Sequence, residues 1–192
     1  MHYYKISSKF VEVAARKMCS ECEGFVKKGS KILDFGCGSG IVAKAFKDRF
    51  EADIFGIDIK DMRLINIPFK IYDGKGIPFP DNYFDVVLSA YVLHHISDQN
   101  SALKEIKRVV KDKIIIFEDV PNGVIPRFIS KLHGISFAKF FQNNTEKGKF
   151  LNDQGWKKAF KDLGLKLIFE KKASSFFDPV KKKVFILEKT GA

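Results

Sequence analysis

No apolar run in the 192-residue chain approaches the ~20 residues a helix needs to cross a bilayer. The opening MHYYKISSKF also lacks the apolar stretch of a secretory signal. These absences exclude a membrane-spanning helix and set the expectation of a soluble, cytoplasmic protein. Cysteine is scarce. Cys19, Cys22 and Cys37 are three, an odd number without regular spacing, which argues against a disulfide framework and fits a reducing compartment. Cys19 and Cys22 form one C-x-x-C, but no second ligand pair follows for zinc, and the pair closes a helix-like segment where a redox pair would open one. The plainer reading is two small apolar residues at a helix end. No metal site is expected. There is no internal repeat and no low-complexity segment.

What is present suffices for a core: 45% of residues are hydrophobic and 14% aromatic, far from the composition of a disordered chain. The length is that of one domain, so residues 1–192 are expected to fold as a unit, with residues 1–29 as an N-terminal helical segment. Charge is uneven. Residues 1–100 hold 14 basic and 13 acidic side chains, against 20 and 10 in residues 101–192, so nearly all of the net +11 lies in the second half. Such a field suits a phosphorylated substrate, nucleic acid or an anionic membrane surface. Of the 34 basic residues 29 are lysine, mostly singles and pairs, which a lysine-rich composition explains with no partner at all.

Short apolar runs alternate with amphipathic stretches, the signature of an α/β layer fold. Ile6, Phe10, Val13, Ala14 and Met18 fall near one helical face. KILDFG reads as a buried strand, IVAKAFKDRF as a helix, and ADIFGIDI, FKIYDG and FDVVLSAYV as further strands. Ser97 or Asp98 caps a helix expected to run through Lys111, followed by a strand in KIIIFEDV. Residues 121–150 mix Pro, Gly and Asn with Phe128, Phe137, Phe140 and Phe141 and read as an inserted lid. A helix from Asn152 or Asp153, closed by Gly164, precedes two strands paired around an Asp178-Pro179 turn.

The chemistry gathers at strand ends. In LDFGCGSG, Gly36, Gly38 and Gly40 leave a strand and open a helix, where side chains would keep the backbone from a ligand. Ile41 stands where a dinucleotide fingerprint wants its third glycine, and no Lys-Ser or Lys-Thr follows to make a P-loop. Asp58, closing the next strand, is placed to accept the hydroxyls of a ribose. Asp73, before Gly74, suits an exocyclic amine, and Asp34 a ligand ammonium. Each alone reads as a turn or cap carboxylate; together they meet at the carboxyl ends of the strands, where open α/β sheets bind ligands.

ILDFGCGSG, IFGIDIK, YDGKGIPFPDNYFDVVLSAYVLHHISD and ALKEIKRVVKDKIIIFED together resemble the successive motifs of class I S-adenosylmethionine-dependent methyltransferases, in particular their broad small-molecule group (the type 11-like enzymes). The resemblance covers about residues 30–120. It implies a Rossmann-like three-layer α/β sandwich with a mostly parallel seven-stranded sheet in the order 3-2-1-4-5-7-6, strand 7 antiparallel. It also implies S-adenosylmethionine as cofactor. Gly36, Gly38 and Gly40 would bed its methionine portion, Asp34 would lie near the amino group, and Asp58 with Ile59 would hold the ribose side. Asp73 and Gly74 would meet adenine, and Ser89 and Ala90 the methionine end. Two departures stand out: the 59–68 link holds Pro68 and no convincing helix, and Lys111-Asp112-Lys113 replaces the usual Pro-Gly-Gly turn.

Methyl transfer requires alignment above all, and a base only where the acceptor atom carries a proton. His94 is the candidate base or positioning group, with Asp119 orienting its imidazole. Glu118 and Asp119 point to opposite faces, so one of them joins the site. His95 reads as packed, and Tyr3, Tyr4 and the lid as shaping the acceptor pocket. The expected acceptor is a small molecule, anionic or lipophilic. RNA or protein methylation is the less favoured alternative, since SAYVLHH is not an Asn-Pro-Pro-Tyr type of sequence. A cofactor-binding, non-catalytic partner subunit is the alternative from another class.

Overall fold

Strands apolar on both faces need cover on both, and that requirement sets the layers here. The computed structural model describes residues 2–122, 149–174 and 180–190, with residues 2–8 as backbone only. The elements are α1 (His2–Glu21), β1 (Lys31–Phe35), α2 (Ile41–Phe50), β2 (Asp53–Asp58), β3 (Phe69–Ile71), β4 (Phe84–Ala90), a 3-10 turn at Leu93–His95, α3 (Gln99–Val109), β5 (Val110–Asp119), α4 (Asp153–Asp162), β6 (Leu165–Lys172) and β7 (Lys182–Lys189). The seven strands lie in the order β3-β2-β1-β4-β5-β7-β6, parallel except for β7, which runs antiparallel to both β5 and β6. This is the expected sheet. Leu33, Phe35, Ile114 and Ile116 pack with α3 and α4 on one face, through Leu103, Ile106, Trp156 and Phe160. Ile32, Ile115 and Phe117 pack with α1 and α2 on the other, through Met18, Cys19, Ala43 and Phe46.

Local chemistry explains the element ends. Asp98 caps α3 by accepting the Ser101 N–H at 3.0 Å, and Asn152 caps α4 by accepting the Gly155 N–H at 2.8 Å. Gly164, at φ +61°, follows α4 as a left-handed terminator.

Three expectations are corrected. α3 stops at Val109 rather than Lys111, because buried Val110 already pairs with Phe84 as the first residue of β5. The β-branched side chain suits the strand, and the Lys111-Asp112-Lys113 segment is therefore strand, not turn. α1 turns Ala15, Met18 and Cys19 inward, with Cys22 buried just beyond its end; of the expected inner face Met18 is buried, whereas Phe10 and Val13 are 73% and 60% exposed. As expected, residues 59–68 form no helix, and β3 reduces to three residues. The lid apart from its ends, the Asp178-Pro179 turn, His133 and the side chains of Tyr3 and Tyr4 lie outside the described residues. Among the described residues, no helix is long and apolar enough to cross a membrane.

Cys19 and Cys22 are buried core residues. Burial pushes the Cys19 thiol up to about 12 and Cys22 higher still, so neither offers a thiolate at neutral pH.

Candidate active site

β1 delivers the chain into a bend, Gly36–Gly40, that is tied down on several sides. The N–H groups of Gly36 and Cys37 donate to the Ile57 carbonyl at 2.8 and 3.1 Å, and Gly40 N–H closes on the Cys37 carbonyl at 2.9 Å. The 59–68 link crosses beside it, with Leu64 and Ile65 N–H donating to the Ser39 carbonyl at 2.9 and 3.2 Å. This link does with two hydrogen bonds what a crossover helix would do by packing.

Each glycine of the bend has a positive φ, but their surroundings differ. A Cβ on Gly36 (φ +77°) would stand 2.4 Å from Val92, so this glycine is required by close approach as well as by conformation. A Cβ on Gly38 (φ +48°) meets nothing within 4 Å. Gly38 faces open space, a cradle that a side chain would begin to fill.

Asp58 closes the bend from β2. Its Oδ2 accepts the Gly38 N–H at 2.9 Å and its Oδ1 the Ile59 N–H at 2.7 Å. Burial pushes this carboxyl up, and the N–H groups of Gly38, Ile59 and Lys60 oppose that. Each carboxylate oxygen keeps further acceptor capacity, which is what a diol ligand needs. The expected neighbours are in place: Ile59 is 43% exposed beside it, and Tyr72 N–H donates to the Asp58 carbonyl at 2.8 Å, setting Asp73 next to β2. Asp73 is exposed and accepts the Lys75 N–H at 2.9 Å, a turn held over Gly74 at φ +82°.

Asp34 is 1% exposed, and its Oδ2 is buried with no hydrogen-bond partner among the described residues. Burial first, and then the charge of Asp58, push its carboxyl up to about 7. Ser89, fully buried on β4 in register with Phe35, likewise has an unpartnered hydroxyl, with Ala90 next to it at the strand end. Buried polar groups are normally paired, so two orphans on neighbouring strand ends ask for a ligand donor. A cationic amine fits Asp34, and the bare backbone of Gly38 leaves room beside it; the residues therefore fit the aminoacyl and ribosyl groups of S-adenosylmethionine.

Val92, which packs on Gly36, leads into the Leu93–His95 turn and so brings the histidine end of the site against the glycine end. His94 is 1% exposed, and its ring stacks on Phe150 at 4.6 Å and lies 4.0 Å from His95. Its Nδ1 lies 2.5 Å from Glu118 Oε2. The carboxylate set on the His94 ring is thus that of Glu118, where Asp119 was expected. Alternation along β5 puts Glu118 on the face of Ile114 and Ile116, where Leu93 also packs, and Asp119 on the opposite one. The charge of Asp119 also acts on His94. KIIIF is apolar on both faces, so the sequence alone does not choose between Glu118 and Asp119. Val92 and Phe150 carry no sequence signal either, since neither belongs to a polar motif.

With Asp58 replaced by Ala, S-adenosylhomocysteine affinity should fall tenfold or more, since the bend loses its anchor and the diol its acceptor. An unchanged dissociation constant in calorimetry would remove Asp58 from the site.

The model of a methyltransferase domain family matches residues 9–169. Among curated proteins, the chain is 35% identical over 117 residues to a ubiquinone/menaquinone biosynthesis C-methyltransferase, UbiE, of Cupriavidus taiwanensis, a match covering 53% of this chain and 48% of that one. It is 34% identical over 99 residues to the UbiE protein of Neisseria meningitidis, covering 45% and 40%. The chain spans about half the length of the curated relatives it matches. Its fold is shared with a chain from the complex between the Haloferax volcanii Trm112 methyltransferase activator and a methyltransferase, at TM-score 0.74 and 15% identity, covering 100% of this chain and 96% of that one. It is shared too with geranyl diphosphate C-methyltransferase of Streptomyces coelicolor, solved with Mg2+, geranyl diphosphate and S-adenosyl-L-homocysteine, at TM-score 0.69 and 12% identity, covering 93% and 79%. At those identities the likeness is one of fold. The family match, which spans most of the chain, and a strand order that agrees with it settle the assignment: this chain belongs to the methyltransferase domain family and has the class I S-adenosylmethionine-dependent methyltransferase fold.

Proposed function

We propose that the chain binds S-adenosylmethionine across the carboxyl ends of β1, β2 and β4 and methylates a small, lipophilic acceptor. The observation that carries the cofactor half is the buried Asp34 carboxyl with its orphan Oδ2, together with the open space over Gly38, both adjoining Asp58. When bound, this cofactor supplies a methyl group already activated by a sulfonium. Asp34 holds the amine, Asp58 the sugar, and Asp73 with Gly74 the base. Ser89 and Ala90 border the methionine end. His94 takes the proton of an acceptor atom that carries one.

Two observations support the acceptor class. The curated relatives are named as C-methyltransferases of ubiquinone and menaquinone biosynthesis. In addition, the large exposed apolar side chains among the described residues, including Phe10, Val13, Leu64 and Ile71, belong to α1 ahead of Ala15, the 59–68 link and the end of β3. Leu64 lies against the bend itself, and Ile71 ends the strand beside Asp58. Against RNA, lysines of the basic half are occupied by carboxylates: Lys183 pairs with Asp153 and Glu170, Lys157 with both, and Lys171 with Glu21.

The test is incubation of the purified chain with methyl-labelled S-adenosylmethionine and a cell extract. Label should enter the solvent-extractable small-molecule fraction. Label in RNA or protein would overturn the acceptor class, and cofactor binding with no label anywhere would mark a non-catalytic subunit.

A further inference from the structure

We infer that Glu118 is the positioning residue of this site: from β5 it holds His94 in the tautomer protonated on Nδ1, leaving Nε2 as the ring's proton-accepting nitrogen. What His94 acts on rests on the methyl-transfer reading above. The pairing itself rests on geometry.

Glu118 is fully buried, and four N–H groups converge on it. Oε1 accepts from Leu93 N–H at 2.8 Å and His94 N–H at 3.4 Å. Oε2 accepts from the His94 ring at 2.5 Å and from Asp119 N–H at 3.2 Å. The backbone groups can only donate, and three of them on the two oxygens favour the ionised carboxylate, which accepts at both; facing such an acceptor, the imidazole places its proton on Nδ1. The two backbone bonds to Leu93 and His94 fasten the turn that carries the ring, so one side chain sets the position, orientation and tautomer of His94. A buried charged pair is a poor device for stability alone. Beside a ligand-binding bend it does what an orienting acid does for a general base. The acceptor this implies has a nucleophile that carries a proton at working pH, such as a hydroxyl or an acidic carbon; a tertiary amine or thioether would leave the pair without a task.

The titratable groups facing His94 include Glu118 and Asp119 from β5 and His95 from its own turn, with the Phe150 ring stacked on it. Burial pulls His94 down, but the charge and hydrogen bond of Glu118, with the charge of Asp119, outweigh it and hold the imidazole above its usual value. In Glu118→Gln the hydrogen bond can persist while the charge is gone, which leaves burial to dominate.

The experiment is nitrogen and proton NMR of the histidine rings in the full chain, with His94 identified by its loss in His94→Gln. In the wild type, neutral His94 should carry its proton on Nδ1 and titrate above the free imidazole value of about 6.5. In Glu118→Gln the midpoint should drop below that value, a fall of about one pH unit or more. S-adenosylhomocysteine affinity should stay within about threefold. Label transfer should drop tenfold or more, as expected when a base loses its poise. A wild-type ring protonated on Nε2, or a midpoint that does not move in the variant, overturns the inference. The wild-type spectrum decides even if the variant does not fold. Failure of the wild type to bind S-adenosylhomocysteine would instead strike the methyl-transfer reading and leave the pairing intact.

Discussion

At pH 8, Asp34→Asn should resist denaturant better than the wild type while holding S-adenosylhomocysteine more weakly. The wild-type carboxyl is buried with an orphan oxygen, and burial together with the Asp58 charge lifts it from 3.8 to about 7. Between those values the folded chain keeps a proton that the unfolded chain has released. Stability therefore falls as pH rises from about 4 to about 7, and above 7 the full cost of burying the charge stands, roughly 4 kcal/mol at most. Asparagine removes the charge but leaves a buried amide to satisfy, a penalty of about 1–3 kcal/mol, so a net gain of one or two is expected. Ligand affinity should move the other way. An ammonium needs the ionised carboxylate, so wild-type affinity rises as pH increases through about 7, and that rise should vanish in Asp34→Asn. Denaturant melts and calorimetry at pH 6 and pH 8 measure both effects. A variant that is no more stable at pH 8, or that keeps the wild-type rise in affinity, contradicts the assignment.

The second large effect separates two glycines a few residues apart. Gly36→Ala combines a left-handed backbone with a contact of 2.4 Å to Val92, which is itself fixed between β4 and the turn holding His94. Conformational strain and overpacking each cost about 1–3 kcal/mol, so the variant should unfold at markedly lower denaturant. Gly38→Ala keeps only the conformational cost, about 1–2 kcal/mol, because its Cβ enters open space. If that space is where the cofactor lies, Gly38→Ala should fold yet lose most of its affinity. Equal damage to folding from both alanines, with Gly38→Ala binding S-adenosylhomocysteine normally, would mean the cradle is empty in function.

The centre of the sheet was legible because β1, β2, β4 and β5 carry apolar runs that need no tertiary information to find. Asp34, Asp58 and Asp73 stood out as candidates because each lies at or within two residues of the end of a strand. The end of α3 was not legible, because Val110 continues the helical spacing of Ile106 and Val109 and only its pairing with Phe84 makes it strand. α1 misled in a related way. It carries two apolar faces, and periodicity alone does not say that Ala15, Met18 and Cys19 outweigh the stripe of Phe10 and Val13. Choosing between Glu118 and Asp119 required the side of the sheet on which the Leu93–His95 turn lies. That side is fixed by Leu93 joining the α3 face of the core, a contact far apart in sequence.

Calorimetric titration of the purified chain with S-adenosylhomocysteine at pH 8 bears most directly on the central claim, that the Gly36–Gly40 bend and its carboxylates form an adenosyl-amino-acid site. The account predicts saturable one-to-one binding. No heat with this ligand, alongside tight binding of a nicotinamide dinucleotide or a flavin, would contradict it.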